Sequence, residues 1–236
     1  MAVPPVSDEV AVLVLAQMAP GCRAWGWWRI VRGPAVLRGE PGLRFAKVLG
    51  SGHEGGFGLR PSPSRLGLFL LFDGEDAARA FIERSAHLQA WRARAAELCV
   101  ALLRTTTARG QWAGQSLTVT ASTVHSGATG PVAALTRASI RPSRAVSFWR
   151  HAGPSQAALA SAPGCRLAVG LGEAPLLRQA TFSLWDSVQD LEAYARSAAH
   201  GEAIRTAYGR QCFSESLFAR FVPLSLQGRW MGHAYP

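Results

Sequence analysis

The chain has 236 residues, 48% of them hydrophobic and 17% charged, with a formal net charge of +10; this excludes a wholly disordered chain and allows one large domain or two small ones. Its longest strongly apolar run, Leu66-Gly67-Leu68-Phe69-Leu70-Leu71-Phe72, is far short of the ~20 residues that span a bilayer. The positive charge is almost all arginine, scattered singly from Arg23 to Arg229 with Lys47 as the only lysine, so no clustered basic face marks a nucleic-acid partner.

A solvated arginine-rich surface and weak attraction to anionic lipid both remain open, and no basic amphipathic helix stands out to favour the second. Residues 1–8 lack a basic segment ahead of an apolar run, and Glu9 breaks the run itself. Residues 10–15 therefore read as a core strand, not a signal peptide, which places the protein in the cytoplasm, with a peripheral position at the inner membrane as the alternative. Trp25, Trp27 and Trp28 fall on the first predicted helix. Gly50 to Gly58 form a glycine-rich stretch after a strand, but Pro61 and Pro63 come next and no helix opens. It reads as a turn-rich loop or a pocket edge, not a phosphate cradle, and Arg60-Pro61-Ser62-Pro63-Ser64 reads as an inserted loop.

Residues 114–129 are rich in Ser, Thr and Gly and read as a connector, with Leu117-Thr118-Val119 able to add a short strand. Val132–Ile140 alternates as a strand. Arg141-Pro142-Ser143 starts a helix that carries Val146, Phe148 and Trp149, with proline suited to the first turn. Residues 167–170 and 180–185 read as strands. Ser187 and Asp190 resemble a capping box, and Val188, Leu191, Tyr194 and Ala195 share one helical face. A short helical stretch, residues 202–208, precedes a last strand at 217–222.

These elements recur. Phe72-Asp73 to Ala86-His87 matches Trp185-Asp186 to Ala199-His200 at a spacing of 113 residues, and the same spacing pairs Phe81 with Tyr194, Arg92 with Arg205 and Cys99 with Cys212. Trp28-Arg29 matches Trp149-Arg150, Gly50-Ser51-Gly52 matches Gly170-Leu171-Gly172, and Arg109-Gly110-Gln111-Trp112 resembles Gln227-Gly228-Arg229-Trp230. Each half has the order β-α-β-β-α-β, so the expected fold is α+β: two fused ferredoxin-like repeats forming a dimeric α/β barrel-like single chain. The expected divisions are residues 1–113, a connector at 114–130, and 131–236.

Few chemical motifs are present. The four cysteines, Cys22, Cys99, Cys165 and Cys212, lie far apart and form no metal or redox pair. None of the six histidines is spaced as a helical metal pair. A single histidine suffices as the axial ligand of a haem, and His200, after an amphipathic helix, fits best, with His87 in the equivalent place of the first half. For either, a capping or packing role stays open. Arg205 and Arg178 could face haem propionates, or be ordinary surface arginines. The eight tryptophans suit a flat or extended apolar ligand, or simply fill helix–sheet gaps.

The ordered strings Lys47-Val48-Leu49-Gly50-Ser51-Gly52, Leu135-Thr136-Arg137-Ala138, Ile140-Arg141-Pro142-Ser143, Phe148-Trp149, Gly170-Leu171-Gly172-Glu173, Gln179-Ala180-Thr181-Phe182-Ser183-Leu184-Trp185, His200 with Ala203-Ile204-Arg205, and Ala219-Arg220-Phe221 resemble the spheroidene monooxygenases of carotenoid biosynthesis. The resemblance implies a haem-dependent monooxygenase that uses O2 and an electron donor such as a ferredoxin. It would oxidise an acyclic carotenoid at C-2, by two hydroxylations and loss of water, to a ketone. It further implies a barrel like that of chlorite dismutases and dye-decolorising peroxidases, with haem in the C-terminal half. His200 would then be the iron ligand, Arg178 and Arg205 would line the cofactor with Arg178 also catalytic, and Trp149, Phe182 and Trp185 would line the substrate pocket. The family often carries histidine at the position of Arg178, and its glycine loop usually lacks the equivalent of His53. If that other histidine is the family's iron ligand, the resemblance implies a divergent member with altered haem binding or chemistry. Peroxidase or dehydratase chemistry on the same barrel, a non-catalytic haem or hydrophobic-ligand carrier, and self-association stay open.

Overall fold

A computed structural model describes residues 8–53, 60–119, 130–174, 176–197, 209 and 211–236, with the backbone alone at 151–157 and 160. Among the described residues the strands are β1 (Val10–Met18), β2 (Leu43–Gly52), β3 (Pro61–Phe72), β4 (Ala95–Gly110), β5 (Val132–Ile140), β6 (Cys165–Ala174), β7 (Arg178–Trp185), β8 (Phe213–Trp230) and β9 (His233–Tyr235). The helices are α1 (Arg23–Arg32), α2 (Glu75–Arg84), α3 (Ala86–Arg92), α4 (Ala145–Ala160) and α5 (Val188–Ala195). Eight strands close an antiparallel barrel in the order β4-β1-β3-β2-β6-β7-β5-β8, with β8 pairing back onto β4 and β9 added to the end of β8. The architecture is α+β.

Side chains alternate across each strand, so every strand feeds two cores. Ala11, Leu13, Leu15, Phe69, Leu71, Leu135, Val169, Phe182 and Phe221 point into the barrel, and Trp112 and Trp230 are buried with them. An eight-stranded barrel is just wide enough for side chains to fill. Val10, Val12, Val14, Leu66, Leu68 and Leu70 point outward and pack against Leu37, Phe81, Leu88 and Trp91 beneath α1–α3. Because β1 is covered on both faces, its sequence is a continuous apolar run without alternation.

The repeated glycine strings turn out to lie at the seams. Gly50 pairs with Gly172 and Ser51 with Leu171, which joins the halves through β2 and β6, and the Ser51 hydroxyl donates to the Gly170 carbonyl at 2.7 Å. At the other seam Gly110 and Gly228 have φ of +87° and +106°. A Cβ on either would lie 2.0 Å from the Ser216 carbonyl oxygen or 2.1 Å from that of Leu98, so only glycine fits. Each glycine is followed two residues later by a fully buried tryptophan, Trp112 or Trp230.

Several elements differ from the sequence expectation. The 60–64 segment is not a free loop: Pro61 begins β3, paired with Gly52 beside a register shift that tolerates its missing N–H, and the Ser62 hydroxyl caps the chain by accepting from the amides of Ser64 and Arg65. Gly50 to Gly52 are strand, not loop; residues 54–59 lie outside the described residues. Residues 117–119 form no strand. Leu117 instead enters the barrel core, and the Thr118 amide donates to buried Glu9 at 2.7 Å. The last strand runs from Phe213 to Trp230, not 217–222, because it pairs with β5 at its start and β4 further on. Pro223 sits at a register shift in that ladder. Pro142 opens a short 3-10 turn, and α4 follows from Ala145. Two helices, α2 and α3, stand after β3 where one was expected. The Ser187 cap forms, its hydroxyl accepting from the Asp190 amide at 3.1 Å. The described residues contain no helix long and apolar enough to cross a membrane.

Candidate functional site

The outward face of the sheet differs between the halves. In the first half three rows cross the four strands: Ala46, Leu70, Val12 and Leu102; then Val48, Leu68, Val14 and Val100; then Gly50, Leu66, Ala16 and Leu98. In the second half the rows are Ala168, Ser183, Ala134 and Arg220; then Gly170, Thr181, Thr136 and Phe218; then Gly172, Gln179, Ala138 and Ser216. Leucine and valine give way to glycine, alanine, serine and threonine. Thr136, at the centre of the second floor, is exposed, whereas Val14 and Leu68 are 0% and 1% exposed. Apart from Phe218, Arg220 and Gln179 the floor is built of small side chains, an arrangement that lets a ligand approach a sheet closely.

The borders of this floor are aromatic and cationic. At the β6–β7 turn the Trp149 indole on α4 donates to the Leu176 carbonyl at 2.9 Å, and Phe148 packs edge-on against Phe213. Leu176 holds a left-handed φ of +66°, a strained conformation for a leucine, and is 42% exposed. Beside it stands exposed Arg178. At the opposite end Trp185 is fully buried against Tyr194 of α5, its indole donating to the Ser183 hydroxyl at 2.9 Å. Arg220 rises from β8 and meets Glu192 of α5 at 3.3 Å. Hydrogen bonds from Arg220 and Arg196 hold the Glu192 carboxyl below the usual carboxylate range.

The predicted residues therefore separate. Trp149 stands at the mouth of the floor, whereas Arg178, exposed at the start of β7, shares the strand parity of inward-facing Ala180 and Phe182 and so lies on the other face of the sheet. Trp185 lies at the far end of β7, seven residues from Arg178 and about 23 Å away at strand rise. Phe182 faces the barrel interior and not this floor. His200 and Arg205 lie outside the described residues. Of the other histidines, His53 and His233 are exposed and away from the floor. His87 stands in the first half, its ring 3.8 Å from Glu40 and 3.4 Å from Arg29. Burial keeps two of the thiols protonated, pushing Cys99 up to about 12 and Cys165 to about 11. The described residues hold no cluster of three metal-ligating side chains.

Sequence reasoning missed two features. One is Arg220, whose signal was an arginine standing between inward-facing Ala219 and Phe221 on an alternating strand. The other is an ion network at one end of the barrel interior. Arg137, 2% exposed, binds Glu173 at 2.9 Å and also pairs with Glu215. Lys47 meets Glu173 at 3.0 Å and the Trp112 indole donates to it at 2.7 Å. Burial alone would raise the Glu173 carboxyl, but hydrogen bonds from Lys47, Trp112 and Arg137 outweigh it and hold it below the usual range. The two cations and two carboxylates compensate one another, so the network closes the barrel without a net buried charge.

The centre of the floor is open at Thr136, and the cation on its own face is Arg220, paired with Glu192; these are the features a flat ligand bearing carboxylates would meet.

No family model matches the chain. Curated relatives do. A spheroidene monooxygenase of Rubrivivax gelatinosus is 58% identical over 96% of this chain and 87% of its own length. One of Rhodobacter capsulatus is 36% identical over 83% of this chain and 82% of its own. Among solved structures, an aldoxime dehydratase covers 94% of this chain and 83% of its own with a TM-score of 0.61 at 11% identity, a likeness in fold.

Proposed function

Because the chain belongs to the spheroidene monooxygenase family, we propose that it is an oxidoreductase that hydroxylates an acyclic carotenoid of the spheroidene kind at C-2. Each hydroxylation consumes one O2, two electrons from a donor such as a ferredoxin, and two protons, and releases one water. Two at the same carbon give a geminal diol, which loses water to leave the ketone. We read the barrel as two fused ferredoxin-like repeats, residues 1–113 and 131–236 joined through 114–130, with the second holding the cofactor.

The observation that carries the ligand assignment is the exchange of Leu68 and Val14 for Thr181 and Thr136 at the centre of the second floor. On this reading haem lies there, and when bound it supplies the redox chemistry that divides O2 between product and water. His200 would hold the iron and Arg205 and Arg178 would pair with the carboxylates, assignments that rest on the sequence; Arg220 is the cation that the floor itself would offer. Ala134, Ala138, Ala168 and Gly170 let the ring approach the sheet. Trp149 and Leu176 form an apolar lip where a long polyene enters, and Trp185 with Tyr194 closes the opposite end against water. Phe182 serves the barrel core and supports the floor from below.

The test is an absorption spectrum of the purified chain with and without added haem, followed by turnover of a carotenoid extract with reductant. A Soret band that His200→Ala abolishes, and a ketocarotenoid product, are expected. A folded wild-type chain that takes up no haem refutes the cofactor. A pigment spectrum without product under reducing conditions leaves only a binding protein.

A further inference from the structure

We propose that α1 is a lipid-docking helix that lays its outer face into the headgroup region of an anionic bilayer. Gly26 is buried, and Trp25 and Ile30 pack against the first-half core, so the face of the helix toward the protein is accounted for. The opposite face carries Trp27, Trp28 and Val31, which are 41%, 55% and 72% exposed. At 100° per residue these three lie within about 100° of one another. Tryptophan is among the side chains most buried on average, so two adjacent exposed indoles beside an exposed valine form a patch that needs a partner.

The chemistry of the surroundings selects lipid. Arg32 is exposed beside the patch, its guanidinium 5.9 Å from the centre of the Trp28 ring, and Arg23 and Arg38 are exposed before and after it in the chain. Between Glu9 and Glu40 the chain has no carboxylate, and from Arg23 to Gly39 it has no hydroxyl or amide side chain. The segment offers donors alone, guanidinium and indole N–H groups, and no side-chain acceptor, so it suits a partner that presents anionic oxygens. A second copy of this chain meeting it by two-fold symmetry would set these arginines against their own equivalents. Phosphates of an anionic leaflet complement the arginines, and indoles favour the depth of the headgroups. In sequence the helix was inconspicuous because Trp25 and Ile30, on the buried face, make it look apolar all round. The inference concerns where the chain meets lipid, and holds whatever its substrate.

The test uses the full chain without substrate. Co-sedimentation is measured with vesicles of phosphatidylcholine alone and of phosphatidylcholine mixed with phosphatidylglycerol, with brominated lipid as a quencher of tryptophan emission. Wild type should partition onto the mixed vesicles, less so at high salt, and its emission should be quenched. Trp28→Ser with Val31→Ser should lower the partition coefficient about tenfold or more, and Arg32→Glu about fivefold or more, with circular dichroism unchanged because the side chains are exposed. Wild type that ignores the mixed vesicles, or variants that bind as well as it does, overturns the proposal. So does a concentration-dependent dimer that Trp28→Ser dissolves, which would give the face to a second copy. Haem spectra and turnover in detergent report on the cofactor and substrate separately, so neither failure is mistaken for the other.

Discussion

Filling the centre of the second floor with leucine should expel the proposed ligand without harming the fold. Thr136 and Thr181 are register partners in the middle row, as Val14 and Leu68 are in the first half. Changing both to leucine extends each side chain by one carbon, about 1.5 Å. A ring seated at van der Waals contact, about 3.5–4.0 Å above the sheet, cannot absorb that intrusion. Overpacking costs about 1–3 kcal/mol per site. The pair should therefore weaken haem by about 2–6 kcal/mol, or roughly thirtyfold to ten-thousandfold. The ligand-free chain gains apolar area under its helices, so its unfolding free energy in urea should hold or rise by about 1–2 kcal/mol. The mirror change, Leu68→Ala, should cost about 2–5 kcal/mol of stability and leave haem affinity alone. Haem titration followed by absorbance, run beside urea unfolding, separates these effects. A folded Thr136→Leu, Thr181→Leu chain that binds haem as tightly as wild type would show that the ligand lies elsewhere.

Two further outcomes concern the barrel. Glu173→Ala removes the carboxylate that Lys47 meets and leaves Arg137 with Glu215 alone, which should cost about 3 kcal/mol in urea unfolding. Because the Glu173 and Glu215 carboxyls are both held below their ordinary range in the folded chain, their contribution is complete above the unfolded value, about 4.3, and is lost as pH falls through the folded values; Glu173→Gln should flatten that acid limb of a Tm-against-pH curve. Gly110→Ala and Gly228→Ala each force a Cβ against a carbonyl oxygen at positive φ, so each should destabilise by about 3 kcal/mol or prevent folding.

Much of the architecture is legible in the sequence because the chain states its pattern twice. The spacing of 113 residues that aligns Phe72 with Trp185 also aligns β3 with β7, and the recurring glycine strings mark strands whose backbones approach closely. What the strings could not disclose is that Gly50 and Gly172 pair with each other, since register across a seam is set by the closed barrel and not by either strand alone. The length of β8 was hidden by Pro223, which ends a strand in most contexts but is tolerated at a bulge. The ion network was invisible for a different reason: Lys47, Arg137, Glu173 and Glu215 come from four separate strands, and only closure brings them together. The floor itself could have been read. Setting Leu66, Leu68 and Leu70 over Gln179, Thr181 and Ser183 at the same spacing shows apolar positions turning polar on the face that should be buried.

That substitution pattern is what recommends the second floor for the proposed ligand. The barrel interior is closed to one, because Phe69 stacks on Trp112 at 5.1 Å and Phe182, Phe221 and Trp230 fill the remaining space. An eight-stranded barrel offers no more room than these side chains occupy. The outer face of the first half is closed too, by leucines and valines that meet α1–α3 directly. The second half keeps such contacts at one end, where Ala134 packs with Val132, Leu159, Trp185 and Leu191, and loses them at its centre, where Thr136 is exposed and no leucine or valine stands in the three rows. A bound macrocycle would replace the missing apolar contact area, so cofactor binding and stability of the C-terminal half should rise and fall together.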